Sequence, residues 1–165
     1  MQTVPAKRPP AAGERAPDFT LPSTSGEDVS LRDFLGERAV LLAFFPLAFT
    51  STCTSELCDF TEDFDQFEGG GVAVLPISVD STPTLKEFKA KYGMHADLLS
   101  DFRRDVSRLY GVLIEDRFFS ARAYFLIDRE GVVRWAHVED NPSARRENSE
   151  IFARIAELSP VAERR

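Results

Sequence analysis

The sequence predicts an α/β fold built on a mixed β-sheet, and three observations carry that prediction. Two continuous apolar runs, 40–45 and 72–79, read as buried strands. Each is followed by a stretch with helix-start residues and helical spacing, the order of a parallel strand–helix–strand unit. Further on, Arg129-Glu130-Gly131 sits between two more apolar stretches, a hairpin signal that adds an antiparallel pair.

Taken in order, residues 1–13 hold three prolines, three alanines and no apolar period. A flexible N-terminal tail is expected there, with a single domain over 14–165. Ser25-Gly26-Glu27 marks a turn between Phe19-Thr20-Leu21 and Val29-Ser30-Leu31, which can pair as a small hairpin. Leu31 to Leu35 makes a short helical turn before Gly36. Pro46 closes the 40–45 strand, because proline cannot donate to a sheet ladder. A helix from Thr52 to Glu68 follows and stops at Gly69-Gly70-Gly71. After the second strand, Thr82-Pro83 opens a helix with proline at its favoured first position, running to Tyr92-Gly93. Leu98-Leu99 reads as a short strand, and 105–110 as a helix closed by Gly111. Strands at 123–128 and 132–138 flank the hairpin turn, and 149–158 forms a terminal amphipathic helix.

Composition narrows the function. A chain of 165 residues suits one domain with a substantial core, to which 14 Phe contribute. A net charge of −7 argues against nucleic acid and anionic membranes as partners. No apolar run approaches the roughly 18 residues of a membrane span. The N-terminus lacks the apolar core of a cleaved export signal, so a reducing cytosol is the expected location. In that compartment a cysteine pair is more often catalytic than structural. His95 and His137 are isolated and offer no metal-ligand spacing, so no metal or cofactor is expected.

That pair lies just after the first strand. Thr50, Ser51 and Thr52 offer helix-capping hydroxyls, which puts Cys53 in the first turn of a helix. The helix dipole and unpaired N–H groups there favour a thiolate. At about 100° per residue, Leu57, Phe60, Phe64 and Phe67 cluster within roughly 80° and form the core-facing stripe. Cys53 projects onto that side with Glu56 one turn later, whereas Cys58 points about 140° away from Cys53. The ordinary alternative, in which both cysteines are simply core residues, fits Cys58 poorly because it leaves the stripe.

Pro46-Leu47-Ala48-Phe49-Thr50-Ser51-Thr52-Cys53 fits Pro-x-x-x-Thr-x-x-Cys and resembles the active-site signature of the peroxiredoxins. Ala16-Pro17-Asp18-Phe19 resembles the family's opening motif, and Arg122 before Ala123-Tyr124-Phe125-Leu126-Ile127-Asp128 its active-site arginine and following strand. Cys58 is similar to the second cysteine of the PrxQ, or bacterioferritin-comigratory, branch. The wording Phe44-Phe45-Pro46-Leu47-Ala48-Phe49-Thr50 looks closer to the alkyl hydroperoxide reductase E branch, which often lacks that cysteine. The resemblance runs over about 16–158. It implies a thioredoxin-like fold, a mixed sheet flanked by helices, with a peroxiredoxin N-terminal extension.

It also implies a reaction. The Cys53 thiolate attacks a hydroperoxide, and Arg122 donates to sulfur and peroxide oxygen. Thr50 offers a hydroxyl to the peroxide, Pro46 shields the thiolate, and Glu56 orients Arg122. Cys58 then resolves the sulfenic acid as a disulfide, and a thioredoxin-like protein or a low-molecular-weight thiol restores both thiols. The expected assembly is a monomer or a weak homodimer. By position alone Thr50 also reads as a helix cap, Pro46 as a strand terminator and Arg122 as one of several arginines, most of which are solvated surface charges. Arg103-Arg104 and Arg145-Arg146 read as solvated faces. A thioredoxin-like disulfide oxidoreductase is the alternative, weakened by Cys-x4-Cys spacing and the lack of a proline just before Ala123. A redox sensor or holdase using the same pair is the other.

Helix geometry adds one expectation. Five residues along an intact α-helix separate two Cα atoms by roughly 8.6 Å. A disulfide spans only about 4.4–6.8 Å. The helix around 52–59 is therefore expected to unwind before Cys53 and Cys58 can join.

Overall fold

The computed structural model describes residues 7–158. Its centre is a five-stranded sheet whose strands lie side by side in the order 99–100, 72–78, 39–44, 123–127 and 133–138. The apolar runs supply β3 (Ala39–Phe44) and β4 (Val72–Ser78), which pair in parallel and are buried along their whole length. β5 (Leu99–Ser100) extends the parallel half. β8 (Ala123–Ile127) runs antiparallel to β3, and β9 (Val133–Val138) completes the hairpin. A sheet with two covered faces needs apolar residues on both, which is why β3 reads as an unbroken run rather than an alternation.

On one face Leu42, Phe44, Ile77 and Phe125 pack against Phe19, Tyr110 and Val112. Here lie the hairpin β1 (Thr20–Pro22) and β2 (Asp28–Ser30), the 3-10 turn Leu31–Phe34, and α4 (Asp105–Leu109). On the other face Leu41, Ala43, Phe45 and Leu126 meet Cys53, Leu57, Phe60, Phe88 and Ile151. These come from α1 (Ser51–Glu62), α3 (Thr82–Tyr92) and α5 (Asn148–Ala156). The α3 helix starts as expected, with the Ser81 side chain accepting from the Thr84 N–H, and Gly93 closes it at φ 60°.

Three features differ from expectation. The helix expected over 52–68 breaks at Asp63, giving α1 and a separate α2 (Phe64–Gly69). The Asn148 amide donates to the Asp59 carbonyl and the Asp63 carboxylate at 3.0 and 2.8 Å. That contact anchors the break, while Phe67 turns onto Phe152, ring centres 4.5 Å apart. Phe64 is consequently half-buried, its ring edge on His95. Second, a short hairpin, β6 (Leu113–Ile114) with β7 (Phe119–Ser120), stands just before Arg122. Strands of two residues carry no readable alternation. Third, of the expected tail 1–13, the first six residues lie outside the described ones, and the rest runs against the body. Gly13 N–H donates to the Val133 carbonyl at 2.7 Å, and Arg8 pairs with Glu14 at 2.6 Å. The backbone at Lys7–Pro9 crosses so close to Gly111, itself at φ 68°, that an added Cβ would stand 2.3 Å from the Lys7 carbonyl oxygen. Only glycine permits that crossing.

Candidate active site

The topology brings two distant segments together. Ala123 at the start of β8 pairs with Phe44 at the end of β3. Arg122, the residue before β8, thus stands beside the loop and helix that follow β3. Cys53 is the third residue of α1 and is 1% exposed. The Arg122 Nη2 donates to Cys53 Sγ at 3.0 Å and to the Pro142 carbonyl at 3.1 Å. Its Nη1 donates to Glu56 Oε1 at 2.6 Å. Arg122 and Glu56 are both 1% exposed. The second carboxylate oxygen, Oε2, accepts from the Tyr124 hydroxyl.

These charges are held in a dry environment. Burial, the largest influence, pushes the Glu56 carboxyl up, against the opposing pull of Arg122 and the Tyr124 hydroxyl. Burial also opposes the charge on Arg122, but Glu56 and Cys53 outweigh it, and the guanidinium is held more firmly protonated than usual. An arginine does not give up its proton near neutrality, so the ion pair at 2.6 Å is the state these contacts describe. The guanidinium faces two electron-rich partners, a sulfur and a carboxylate. Its Nε is buried without a hydrogen-bond partner among the described residues.

The other expected site residues are placed differently. Thr50 is the N-cap residue of α1, but its side chain makes no cap bond. Its hydroxyl donates instead to the Leu47 carbonyl at 2.7 Å, inside a turn where Phe49 sits at φ 69°. The capping role expected for that hydroxyl is therefore corrected: the turn's own carbonyl captures it. Pro46 is buried two residues beyond the end of β3. Cys58 lies on the same helix as Cys53, half-buried, and both thiols are free. Burial first, then the Asp59 and Glu62 carboxylates, push the Cys58 thiol up.

Arg145 and Arg146 are not solvated faces. Arg145, with 13% of its side chain exposed, contacts the Asp59 carboxylate and donates to Ser55 Oγ at 3.4 Å. Arg146 donates from Nε to Glu139 at 2.9 Å and from its backbone N–H to the Tyr124 hydroxyl oxygen at 3.0 Å. The segment 142–148 thus ties the outer face of α1 to the residues around Arg122. Its glutamate and aspartate partners lie up to 89 positions away, so no local pattern announces it. Tyr124 did carry a signal: a tyrosine in an otherwise apolar buried strand needs a partner for its hydroxyl.

A buried cysteine at a helix start, faced by an arginine that a carboxylate orients, defines a thiol-based redox enzyme on a mixed α/β sheet. The sequence profile of the AhpC/TSA family matches residues 12–136, and the chain belongs to that family. It is 41% identical over 129 residues to alkyl hydroperoxide reductase E of Mycobacterium tuberculosis, covering 77% of this chain and 84% of that protein. Against peroxiredoxin Bcp of Escherichia coli the identity is 39% over 139 residues, covering 81% and 87%. The reduced 2-Cys peroxiredoxin of Plasmodium vivax superposes with a TM-score of 0.83 at 34% identity, covering 90% of this chain and 81% of that one. The fold is the thioredoxin-like fold of the peroxiredoxins, and the protein is a thiol-dependent peroxidase. Its oxidant is a peroxide and its reductant a thiol or thioredoxin-type donor. Among the described residues no helix is long and apolar enough to cross a membrane.

Proposed function

We propose that Cys53 is the peroxide-attacking nucleophile of a two-cysteine cycle within the domain 14–165. The observation that carries this is the Arg122 guanidinium, 3.0 Å from Cys53 Sγ and held from behind by Glu56. The thiolate attacks one peroxide oxygen. An S–O bond forms, the O–O bond breaks, and the departing alkoxide or hydroxide takes a proton and leaves as alcohol or water. Sulfur is oxidised by two electrons to the sulfenic acid. The Nη2 side of Arg122, beside Cys53, meets the charge as it moves along the O–O bond, and Nε, which has no hydrogen-bond partner among the described residues, supplies a further donor. Thr50, exposed one turn before Cys53, offers its hydroxyl to the peroxide on leaving the Leu47 carbonyl. Pro46 keeps bulk water from the sulfur. Stopped-flow oxidation of the reduced protein by hydrogen peroxide tests this reading; a rate no faster than that of free cysteine defeats it.

In the second step the Cys58 thiolate attacks the Cys53 sulfur, an S–S bond forms, and the hydroxyl leaves as water after gaining a proton. An external dithiol or thiol then reduces the disulfide. With both cysteines in α1, the first half of that helix must unwind for the step to occur. Arg145 opposes the unwinding, because it holds Ser55 and Asp59 on the outer face of that turn. Arg145→Ala is expected to speed disulfide formation several-fold and to raise hydrogen exchange at residues 52–59 in the reduced protein. The acceleration is diagnostic, since losing a cation near Asp59 would by itself disfavour the Cys58 thiolate. Unchanged exchange and an unchanged rate would show that Arg145 does not restrain the helix.

The pH dependence of this step follows from Cys58. Its thiol is pushed up in the folded helix, so the helix keeps that advantage up to the ordinary thiol range and loses it only above that, as pH rises through the raised folded value. The attacking thiolate also grows more abundant with pH. Both effects have one sign, and between about pH 6 and 8 the thiolate abundance carries the change. Disulfide formation after one equivalent of peroxide is expected to accelerate by nearly tenfold per pH unit from about 6 to 8. Acid quenching followed by mass spectrometry measures it, and a flat profile would contradict it.

A further inference from the structure

Arg122 and Tyr124 are two residues apart where the chain enters β8, so both side chains project from one face of the sheet, toward α1. The Tyr124 ring is fully buried and stacks on Trp135 at 5.9 Å, with 26° between the ring planes. Its hydroxyl donates to Glu56 Oε2 and accepts the Arg146 N–H at 3.0 Å. Each oxygen of the Glu56 carboxylate is thereby assigned: Oε1 to Arg122 and Oε2 to Tyr124. We propose that Tyr124 is a positioning residue for peroxide reduction, which fixes the rotation of the Glu56 carboxylate and so aims the Arg122 guanidinium at Cys53 sulfur. This rests on the assignment of Cys53 and Arg122 above.

The physical argument concerns one torsion. The carboxylate of glutamate turns about a broad, nearly two-fold torsion, so a single bond to Arg122 does not define its plane. A second donor on the opposite oxygen does. The ring of Tyr124 cannot shift to follow a moving carboxylate, because Trp135 backs it and the Arg146 N–H pins the hydroxyl oxygen. Removing the hydroxyl leaves a buried carboxylate oxygen without its donor, a state that favours rotation or protonation of Glu56. Either outcome releases one side of Arg122, whose Nη2 then divides between sulfur and the Pro142 carbonyl without restraint.

The groups facing Glu56 are Arg122 and Tyr124 from the β8 side and Arg145 from the segment before α5, and Cys53 meets the same guanidinium from Glu56's own helix. Burial already pushes Glu56 up, and the tyrosine bond is one of the contacts holding it down. Without that bond Glu56 gains its proton at higher pH. Tyr124→Phe keeps the ring on Trp135 and removes only the hydroxyl.

The expected result is a second-order rate with hydrogen peroxide about tenfold lower at pH 7, with the acid limb of its pH profile moved to higher pH. Glu56→Gln supplies the second variant, since it removes the buried charge that the missing hydroxyl would strand. If Tyr124 acts through Glu56, Tyr124→Phe in the Glu56→Gln background slows the reaction little further. An unchanged rate and pH profile in Tyr124→Phe overturns the proposal, as does an undiminished effect of that change in the Glu56→Gln background. An unchanged Tyr124→Phe beside a slowed Arg122→Ala rejects this proposal alone. A full rate in Arg122→Ala rejects the site assignment on which it rests.

Discussion

Cys53→Ser is expected to abolish peroxide reduction, leaving consumption no faster than that of the assay reductant alone. The reaction needs an ionised, polarisable nucleophile that can accept oxygen and later release it to a thiol. A serine hydroxyl stays protonated near neutrality and forms no sulfenic acid. Everything else in the site is retained, because a hydroxyl in the same position can still accept from Arg122, which reaches Cys53 at 3.0 Å in the native protein. The fold should survive, as circular dichroism and thermal unfolding will show. Intact-mass measurement gives a second readout. Peroxide added in one equivalent should add one oxygen, or form a disulfide, in the native chain and do neither in the variant. Cys58 remains in that variant, but its thiol is pushed up by burial and by Asp59 and Glu62, and Arg122 does not contact it. Substantial residual turnover in Cys53→Ser would therefore move the nucleophile to Cys58 and reverse the proposed order of attack.

Much of the scaffold is legible in the chain because its signals are local. β3 is six residues of continuous apolar sequence and β4 six more before Ser78, bounded by Pro46 and by the glycines before Val72. The Ser81 cap, the proline after it and Gly93 mark both ends of α3. What escapes such reading depends on residues far apart. The break at Asp63 is anchored by Asn148, 85 positions away. The path of the chain at Lys7–Pro9 depends on a glycine at 111, and the Thr50 hydroxyl is taken by a carbonyl only the folded loop presents. The site divides in the same way. A cysteine in the first turn of a helix is a local inference. Arg122 lies 69 positions from Cys53, and its resemblance to a family motif and its place before an apolar strand distinguish it from the other arginines. The pairing of Ala123 with Phe44 is what makes the two neighbours, and Tyr124 arrives at Glu56 through the same register.

Arg122→Ala is expected to lower the second-order rate with hydrogen peroxide by about 10² to 10³-fold, the effect of removing one preorganised transition-state donor. Two consequences of the substitution must be separated. Glu56 is 1% exposed, and losing its partner strands a buried carboxylate, with a destabilisation of roughly 3–5 kcal/mol. A slow rate alone then does not distinguish lost chemistry from a lost fold. The double variant Arg122→Ala with Glu56→Gln removes the stranded charge as well, so most of the thermal stability should return while the rate stays low. Arg122→Lys separates charge from shape. A lysine ammonium keeps the positive charge but lacks the planar fork that reaches Cys53 Sγ and Glu56 Oε1 together, at 3.0 and 2.6 Å. Its rate should fall between those of the native protein and Arg122→Ala. If Arg122→Lys instead reacts at the native rate, charge alone suffices and the two-sided geometry is not required. Should Arg122→Ala itself react at the native rate, the guanidinium beside Cys53 has no part in the chemistry.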